Sequence, residues 1–232
     1  LEPCTHYGLT PPCTSIIKNK KVKKIYYSFH DADERTYKKA KKILKKKIKH
    51  NKVESEYKDF YNSYYYNKKK KLPFVDAKLA ISKDFFTINK KNKWITKAIS
   101  RRIGHLIRSK YDCIISTSES INKDNSLLNC RIDGLNNNKP DLIIIDRRLR
   151  LKKNLRLFNL LNKRKIYIFT TSNDNKRILY FRKKKIKIIK IDNLENENDF
   201  KSLFNKIFKI GKRRILIETG LKFLNQLLKF RL

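Results

Sequence analysis

Apolar residues occur in two patterns along this chain, and their alternation predicts an α/β protein. Continuous apolar runs occupy residues 140–146, 166–171, 186–191 and 214–217, and such runs are typical of strands buried in a parallel sheet. Stretches with an apolar residue every three or four positions lie between them and predict helices. Strands separated by helices predict a parallel sheet with crossover connections.

The middle of the chain carries a further series of elements. Apolar and polar residues alternate between positions 75 and 79, which predicts a strand whose Lys78 points away from the apolar face. An amphipathic helix is then predicted to end at Arg108, and a strand follows at residues 112–117. Residues 120–131 are predicted to form a polar loop.

The first 71 residues contain shorter elements. A β-rich run at residues 24–29 precedes a polar turn with Asp31 and Asp33, which we interpret as solvated turn residues rather than catalytic carboxylates. Residues 54–71 combine tyrosines with lysines, a mixture that can bind single-stranded nucleic acid. A helix followed by a charged linker explains the same residues and is the interpretation we adopt.

The last predicted strand leads through Gly220 into a helix over residues 221–230. The backbone N–H groups at such a helix start can receive a phosphate. Because connections of this kind occur in most α/β proteins, this one is weak evidence by itself.

Charge is the extreme feature of the composition. The 232-residue chain is 40% hydrophobic, enough for a core, but has 59 Lys plus Arg against 21 Asp plus Glu, a formal charge of +38. Such an excess suggests a nucleic acid or an anionic membrane as partner. The basic residues are, however, spread from Lys18 to Arg231, as an AT-biased coding sequence would produce. We therefore expect neither partner, and a basic nucleic-acid-binding protein is the alternative.

Cysteine and methionine usage bears on the compartment and on completeness. Four cysteines with no secretory leader ahead of them predict a reducing, cytoplasmic location. No apolar run approaches the roughly 18 residues of a membrane span, which predicts a soluble protein. Methionine is absent even from position 1, which predicts that the sequence is a piece of a longer protein.

Cys4 and Cys13 are separated by eight residues in a turn-rich segment that can bring both sulfurs to one ion. Cys13 opens a predicted helix, where the dipole favours a thiolate. Two thiolates leave a zinc site incomplete, and none of the four histidines is followed two residues later by Glu. The spacing alone leaves a zinc pair and two buried structural cysteines as open interpretations.

Taken together, the motifs resemble those of the bifunctional deaminase–reductase family of riboflavin biosynthesis. LEPCTHYGLTPPCT is similar to the second half of the family's zinc signature. KLAIS, KWIT, LIIIDRRLRL and ILIETG occur in the order and approximate spacing of its reductase half. The resemblance spans almost the whole chain.

The resemblance implies an α/β protein with two domains. Residues 1–70 would be the C-terminal part of a cytidine-deaminase-like domain that binds zinc, and residues 71–232 a dihydrofolate-reductase-like domain, incomplete at its C-terminus. The implied reaction is NADPH-dependent reduction of 5-amino-6-(5-phosphoribosylamino)uracil to the ribityl form. In the full-length protein it follows a zinc-dependent hydrolytic deamination, whose catalytic Glu and third metal ligand lie outside this sequence. Homo-oligomerisation is left open.

The resemblance also implies the site residues. The NADPH-binding positions are Ala80, Trp94, Ser120, Asp124 and Gly220. The substrate-binding positions are Asn92, Arg108, Leu128, Arg131 and Glu218, and the zinc ligands are Cys4 and Cys13. Arginines suit a phosphate by charge and fork geometry. No catalytic side chain is assigned to the reductase half, because hydride transfer depends mainly on positioning.

Two departures from the family pattern affect the cofactor side. SKDFF stands where the family usually has Ser-Leu-Asp-Gly, so the glycine turn is lost, and Asn92 occupies a position often held by Ser. An inactive, degenerate copy of the enzyme is therefore a further alternative.

Overall fold

The structure, a computed structural model, describes residues 1–51, 57–87, 94–135 and 140–231. It contains two compact units, Leu1–Leu72 and Pro73–Leu232. None of the helices within the described ranges combines the length and apolarity that a membrane span requires.

The first unit is small and mixed. Its elements are α1 (Cys13–Asn19), β1 (Ile25–Tyr27), α2 (Ala40–Leu44), a 3₁₀ turn (Lys45–Lys47), β2 (Ile48–His50) and α3 (Lys58–Lys70). Strands β1 and β2 pair in parallel, with Ile25 opposite Ile48. The buried core of this unit consists of Tyr27, Ala40, Leu44 and Ile48.

A buried carboxylate connects the distant parts of the first unit. The Glu2 side chain accepts hydrogen bonds from the backbone N–H groups of Lys38 and Ala40, each at 3.0 Å, and lies 3.1 Å from Nδ1 of His30. A carboxylate buried without such donors would cost far more than the roughly 2 to 7 kcal/mol of a neutral polar group. The contacts therefore fasten the chain start to the entry of α2.

Asp31 and Asp33 accept hydrogen bonds that stabilise their turn, in agreement with the interpretation of these residues as turn residues. Asp31 accepts hydrogen bonds from the Asp33 N–H at 2.9 Å and from the Tyr64 hydroxyl at 2.8 Å. The Arg35 guanidinium donates to Asp33 and holds the pKa of that carboxyl well below its usual range. Both carboxylates thus have local structural partners.

The second unit is built on a six-stranded parallel sheet. Its elements in chain order are β3 (Phe74–Ala77), α4 (Ala98–Arg108), β4 (Cys113–Thr117), α5 (Ser118–Asp124), β5 (Asp141–Ile145), a 3₁₀ helix (Arg156–Leu160), β6 (Ile166–Thr170), α6 (Asn175–Lys183), β7 (Lys187–Lys190), α7 (Glu197–Lys209), β8 (Arg214–Ile217) and α8 (Leu221–Lys229). The strand order is β3-β8-β4-β5-β6-β7. Every pairing is parallel, as the apolar runs predicted.

Both faces of the central strands are covered, which explains why these strands are apolar at consecutive positions. The fully buried positions are Ile114, Ile115, Leu142, Ile143, Ile144, Ile168 and Phe169. One face packs against α4, α5 and α6 through Ile107, Ile121 and Phe181. The return crossover from β7 to β8 carries α7, which the right-handed rule places on the other face. Phe200 of α7 contacts Phe223 of α8 at a ring distance of 5.8 Å.

Two local predictions are corrected by the structure. The expected polar loop after β4 begins as helix α5, because the Thr117 side chain caps the helix by accepting a hydrogen bond from the Ser120 N–H. In β3, Ala77 is exposed and Asp76 is half-buried, accepting a 2.7 Å hydrogen bond from the Tyr111 hydroxyl. The simple alternation fails there because β3 lies at the edge of the sheet.

The substitution Phe181→Ala tests the core between α6 and the sheet. Phe181 is fully buried, so we expect its removal to lower the free energy of unfolding by about 3 to 5 kcal/mol. Leu179→Ala is the matched control on the same helix, because Leu179 is 55% exposed and its loss should change stability by about 0.5 kcal/mol or less. Chemical denaturation of both variants measures the difference, and equal values would contradict the packing described.

Candidate functional site

A cleft of about 1920 Å³ lies in the second unit at the carboxyl ends of its strands. In a parallel sheet the loops that follow the strands meet at one edge, and ligands bind there in open α/β folds. Here the cleft is lined by α4 and by the segments that follow β3, β4, β5 and β8. Most of the site residues predicted from the resemblance belong to these segments.

A bidentate ion pair lies in the cleft. Arg108, the last residue of α4, donates through Nε to Oε1 of Glu218 at 2.6 Å and through NH2 to Oε2 at 2.8 Å. Their side chains are only 15% and 10% exposed. Glu218 follows β8 directly, and its N–H donates to the Ile115 carbonyl at 2.9 Å. The pair therefore joins the end of a helix to the end of a strand.

His105 lies one helical turn before Arg108 and is held as a neutral imidazole. Its Nδ1 lies 2.9 Å from the Asn129 carbonyl and 3.3 Å from NH1 of Arg108. Because the carbonyl can only accept, we assign the proton to Nδ1 from the shorter of these two contacts. Its Nε2 can then accept from NH2 of Arg131 at 3.1 Å. Burial, and next the Arg108 charge, lower the pKa of His105.

Arg131 is bound differently from Arg108. Its guanidinium donates to the Asn129 side-chain oxygen at 3.1 Å and to His105, which are both uncharged partners. Among the described residues no carboxylate lies within 4.0 Å of it. Burial and the nearby Arg108 lower the pKa of Arg131. Its charge is thus available to an anion in the cleft.

Ser120 connects the start of α5 to the start of α8. Its hydroxyl accepts a hydrogen bond from the Gly220 N–H at 3.2 Å and another from the Thr117 hydroxyl at 3.0 Å. Gly220 has a φ of −70° as the residue before α8, so glycine's conformational freedom is not needed here. The two predicted cofactor positions, Ser120 and Gly220, are therefore in direct contact.

A buried aspartate builds a basic platform on the β5 side of the cleft. Asp146 accepts from the Ser118 hydroxyl at 2.9 Å and from the N–H groups of Arg150 and Leu151, each at 2.8 Å. Asn122 of α5 binds the same loop, through its contact with the Lys152 N–H at 2.9 Å.

The exposed cations that line the cleft at this platform include Lys123, Arg148, Arg150 and Lys152. No ion pair holds any of these side chains within the part of the chain that the structure describes. The loop backbone is therefore fixed while its charges face the cleft.

The remaining predicted positions of the reductase half also line the cleft, with one exception. Ala80, Asp124 and Leu128 are among its wall residues, and so is Trp94, whose ring lies 4.6 Å from the Arg101 guanidinium carbon. Asn92 falls outside the described residues.

Cys4 and Cys13 lie together in the first unit. The Cys13 N–H, at the start of α1, donates to the Cys4 sulfur at 3.1 Å. The side-chain contact between the two thiols, and next burial, raise the pKa of Cys13. His6 is engaged with the Thr36 hydroxyl at 3.0 Å. No cluster of three or more metal-binding side chains occurs in the described ranges. Two thiols, a ligand type that zinc binds, are thus adjacent, but two thiols do not make a zinc site by themselves.

Three residues of the site escaped the sequence reasoning, namely His105, Asn129 and Asp146. His105 carries a signal that could have been used, since it lies three positions before Arg108 and therefore on the same helix face. Asp146 follows an apolar strand, where functional side chains gather in parallel sheets. Asn129 has no such signal, because its position depends on an irregular loop.

The second unit matches a known protein family. Residues 73–232 match the family model described as RibD C-terminal domain. The riboflavin biosynthesis protein RibD of Actinobacillus pleuropneumoniae is 24% identical over 225 residues, covering 95% of this chain and 59% of that protein. RibD of Aquifex aeolicus is 24% identical over 234 residues, covering 99% of this chain and 64% of that protein. The chain therefore spans about 60% of the length of these curated relatives.

A solved structure has the same fold. It is a diaminohydroxyphosphoribosylaminopyrimidine deaminase/5-amino-6-(5-phosphoribosylamino)uracil reductase from Thermotoga maritima. The TM-score is 0.80 at 23% identity, over 98% of this chain and 62% of that one. This likeness confirms the predicted α/β class, and the family match confirms the resemblance seen in the motifs.

The substitution Glu218→Gln tests the ion pair. It leaves the partly buried Arg108 without its carboxylate, so we expect the free energy of unfolding to fall by about 1 to 3 kcal/mol. Glu119→Gln is the matched control, because Glu119 meets Lys222 at 4.0 Å on the exposed surface, where a pair contributes about 0 to 1 kcal/mol. Denaturant titration compares the variants, and a loss no greater than that of the control would contradict the role of the pair.

A second prediction concerns pH. Because the pKa of His105 is lowered by folding, the unfolded chain binds a proton first as the pH falls below about 6.5. Stability of the second unit should therefore be constant above that pH and decline below it. His105→Gln should reduce this decline. The other histidines lie in the first unit, so unfolding is followed by the single tryptophan, Trp94. Identical pH profiles for both proteins would contradict the prediction.

Proposed function

Because the chain belongs to the RibD C-terminal domain family, we propose that its second unit reduces 5-amino-6-(5-phosphoribosylamino)uracil to the ribityl form with NADPH, a step of riboflavin biosynthesis. The whole-protein activity is a proposal, since the chain spans only 59% and 64% of the relatives described above. The observation that supports it best is the guanidinium of Arg131, which faces the cleft without a carboxylate partner in the described residues.

On the substrate side, Arg131 binds the ribose phosphate. A guanidinium recognises a phosphate through charge and two parallel N–H donors. Arg108 is occupied by Glu218 in a bidentate pair, so it acts first by orienting Glu218, and the pair together meets the polar groups of the substrate. Leu128 lines the wall beside Arg131, and Asn92 is proposed as a further substrate contact.

On the cofactor side, the cleft fits an anionic dinucleotide. Lys123, Arg148, Arg150 and Lys152 supply positive charge that no described carboxylate neutralises. The proposed NADPH contacts are Ala80, Trp94, Ser120, Asp124 and Gly220. When bound, NADPH would supply the hydride that converts the ribosyl carbon to the ribityl level, and the proton that the reduction also requires would come from solvent.

The protein's contribution to the reaction is positioning. The walls hold the sugar carbon against the nicotinamide, and converting two separate reactants into one bound pair can lower a barrier by about 7 to 11 kcal/mol. His105 keeps its proton on Nδ1 and accepts from Arg131 on Nε2, so it aligns the phosphate-binding guanidinium. No side chain of this unit is assigned to proton transfer.

For the first unit we propose a part in the zinc-dependent deamination that precedes the reduction. Cys4 and Cys13 would be two of the zinc ligands, in keeping with the adjacency of their thiols. Because the described residues supply no third ligand, we derive no deamination step from them. A cytoplasmic location is part of the proposal, and homo-oligomerisation stays open.

A nucleic-acid-binding protein is the alternative function. The formal charge of +38 favours it, whereas the sorting of charges inside the cleft favours the reductase. Binding to arbitrary RNA that weakens steeply with salt, in the absence of NADPH affinity, would support the alternative.

The proposed reduction is tested by NADPH oxidation in the presence of the phosphoribosylaminouracil. Arg131→Ala should raise the substrate KM by about 10- to 100-fold, because a hydrogen bond to a charged group contributes about 1.5 to 3 kcal/mol. Arg102→Ala is the matched control, since Arg102 is an exposed arginine of α4 outside the cleft wall and its KM should stay within about twofold.

The outcomes separate the parts of the proposal. A folded wild-type protein that neither binds NADPH nor turns over the substrate would refute the reductase function. Turnover with an unchanged KM in Arg131→Ala would refute the phosphate assignment alone.

A further inference from the structure

A second arginine, Arg164, contacts the backbone of the loop that carries Arg131. Arg164 is 6% exposed and precedes β6. Its NH1 donates to the Leu128 carbonyl at 2.6 Å and to the Pro140 carbonyl at 3.4 Å, and its NH2 donates to the Leu127 carbonyl. One buried guanidinium thus binds two consecutive carbonyls of the loop that precedes Arg131, and also the carbonyl of Pro140, just before β5.

The setting of Arg164 is unusual for a buried cation. No carboxylate of the described residues pairs with it, and its Nε has no hydrogen-bond partner there. The neighbouring Asp141 is instead paired with Lys212. Burial lowers the pKa of Arg164 to about 10. Taking an ion out of water costs several kcal/mol, so the contacts that it makes must offset a large penalty.

The segment that Arg164 binds is conformationally demanding. Leu128 has a φ of 47°, in the left-handed region that costs a residue other than glycine about 1 to 2 kcal/mol. The next residue, Asn129, provides both its carbonyl and its side chain to the site. The carbonyl binds His105 and Arg108, and the side chain binds Arg131. A shift of the Leu127–Leu128 backbone would therefore move every one of these groups.

We propose that Arg164 is a positioning residue, which holds the 127–131 loop in the conformation that presents Arg131 to the phosphate of the substrate. It acts on this loop through the backbone carbonyls of Leu127 and Leu128, and it touches neither substrate nor cofactor. The inference rests on the proposed function for the identity of the ligand. The mechanical part, that Arg164 holds the loop, stands independently of it.

Arg164→Met tests the proposal, because methionine has a similar length and apolar volume but no donors. The probe is ribose 5-phosphate, titrated calorimetrically into the whole chain, and its Kd should rise about 10-fold or more. The Kd for NADPH should stay within about twofold. Arg164→Lys keeps the charge but loses the fork, so it should restore part of the affinity. Amide hydrogen exchange at residues 128–131 should accelerate in both variants.

Arg177→Met is the matched control. Arg177 also has a buried, unpartnered Nε, and its NH2 donates to a single carbonyl, that of Leu151, at 2.6 Å. Losing it should speed exchange near residue 151 and leave the ribose 5-phosphate Kd within about twofold. If Arg164 had a purely structural role, its substitution would likewise speed amide exchange near its own contacts and leave the ribose 5-phosphate Kd within about twofold.

The results distinguish the two levels of inference. If wild-type protein binds neither ribose 5-phosphate nor NADPH, the proposed function fails, whereas hydrogen exchange still decides whether Arg164 holds the loop. Unchanged exchange at 128–131, or an unchanged phosphate Kd in a wild-type background that binds, overturns the positioning role. If Arg164→Met does not fold, the Lys variant decides, and wild-type affinity in that variant overturns the proposal.

Discussion

The ion pair between Arg108 and Glu218 is the interaction on which the arrangement of the cleft depends. It joins residues 110 positions apart in sequence, one at the end of α4 and one just after β8. A single residual charge at this depth would be costly, whereas a bidentate pair satisfies both groups. Because Glu218 neutralises Arg108, the neighbouring Arg131 is the arginine of this cluster whose charge is available to a ligand.

The same cluster bears on how a very basic chain would bind the proposed anion selectively. A charge of +38 spread over the surface attracts any anion and distinguishes none. Inside the cleft the charges differ in their partners: Arg108 meets a carboxylate, the pKa of His105 is lowered, and Arg131 meets uncharged acceptors among the described residues. Selectivity of the proposed anion site would therefore come from partly buried, oriented groups rather than from net charge.

Much of this fold could be predicted from the sequence, because strands buried in a parallel sheet are continuous apolar runs. Strands β5 (residues 141–145) and β6 (residues 166–170) are examples. Helix α5 could not be predicted in this way, because its start depends on one capping contact of Thr117 within a polar stretch. Site residues were reachable only through the family resemblance. No local pattern could have paired Arg108 with Glu218 or placed Asn129, because these contacts exist only after the sheet has assembled.

Irregular backbone is the part of such a site that needs separate support. Strands and helices satisfy their own N–H and C=O groups, but the 127–131 loop runs against the core with carbonyls that must find donors elsewhere. Arg164 supplies those donors, although this requires burying its charge. Asp146 has the complementary role in the loop across the cleft, where its carboxylate accepts hydrogen bonds from backbone N–H groups. One buried cation and one buried anion, which bind backbone groups rather than each other, thus hold two walls of the cleft. A buried charge used in this way fixes the backbone conformation of a loop. An apolar residue of the same size would leave the loop carbonyls without hydrogen-bond partners.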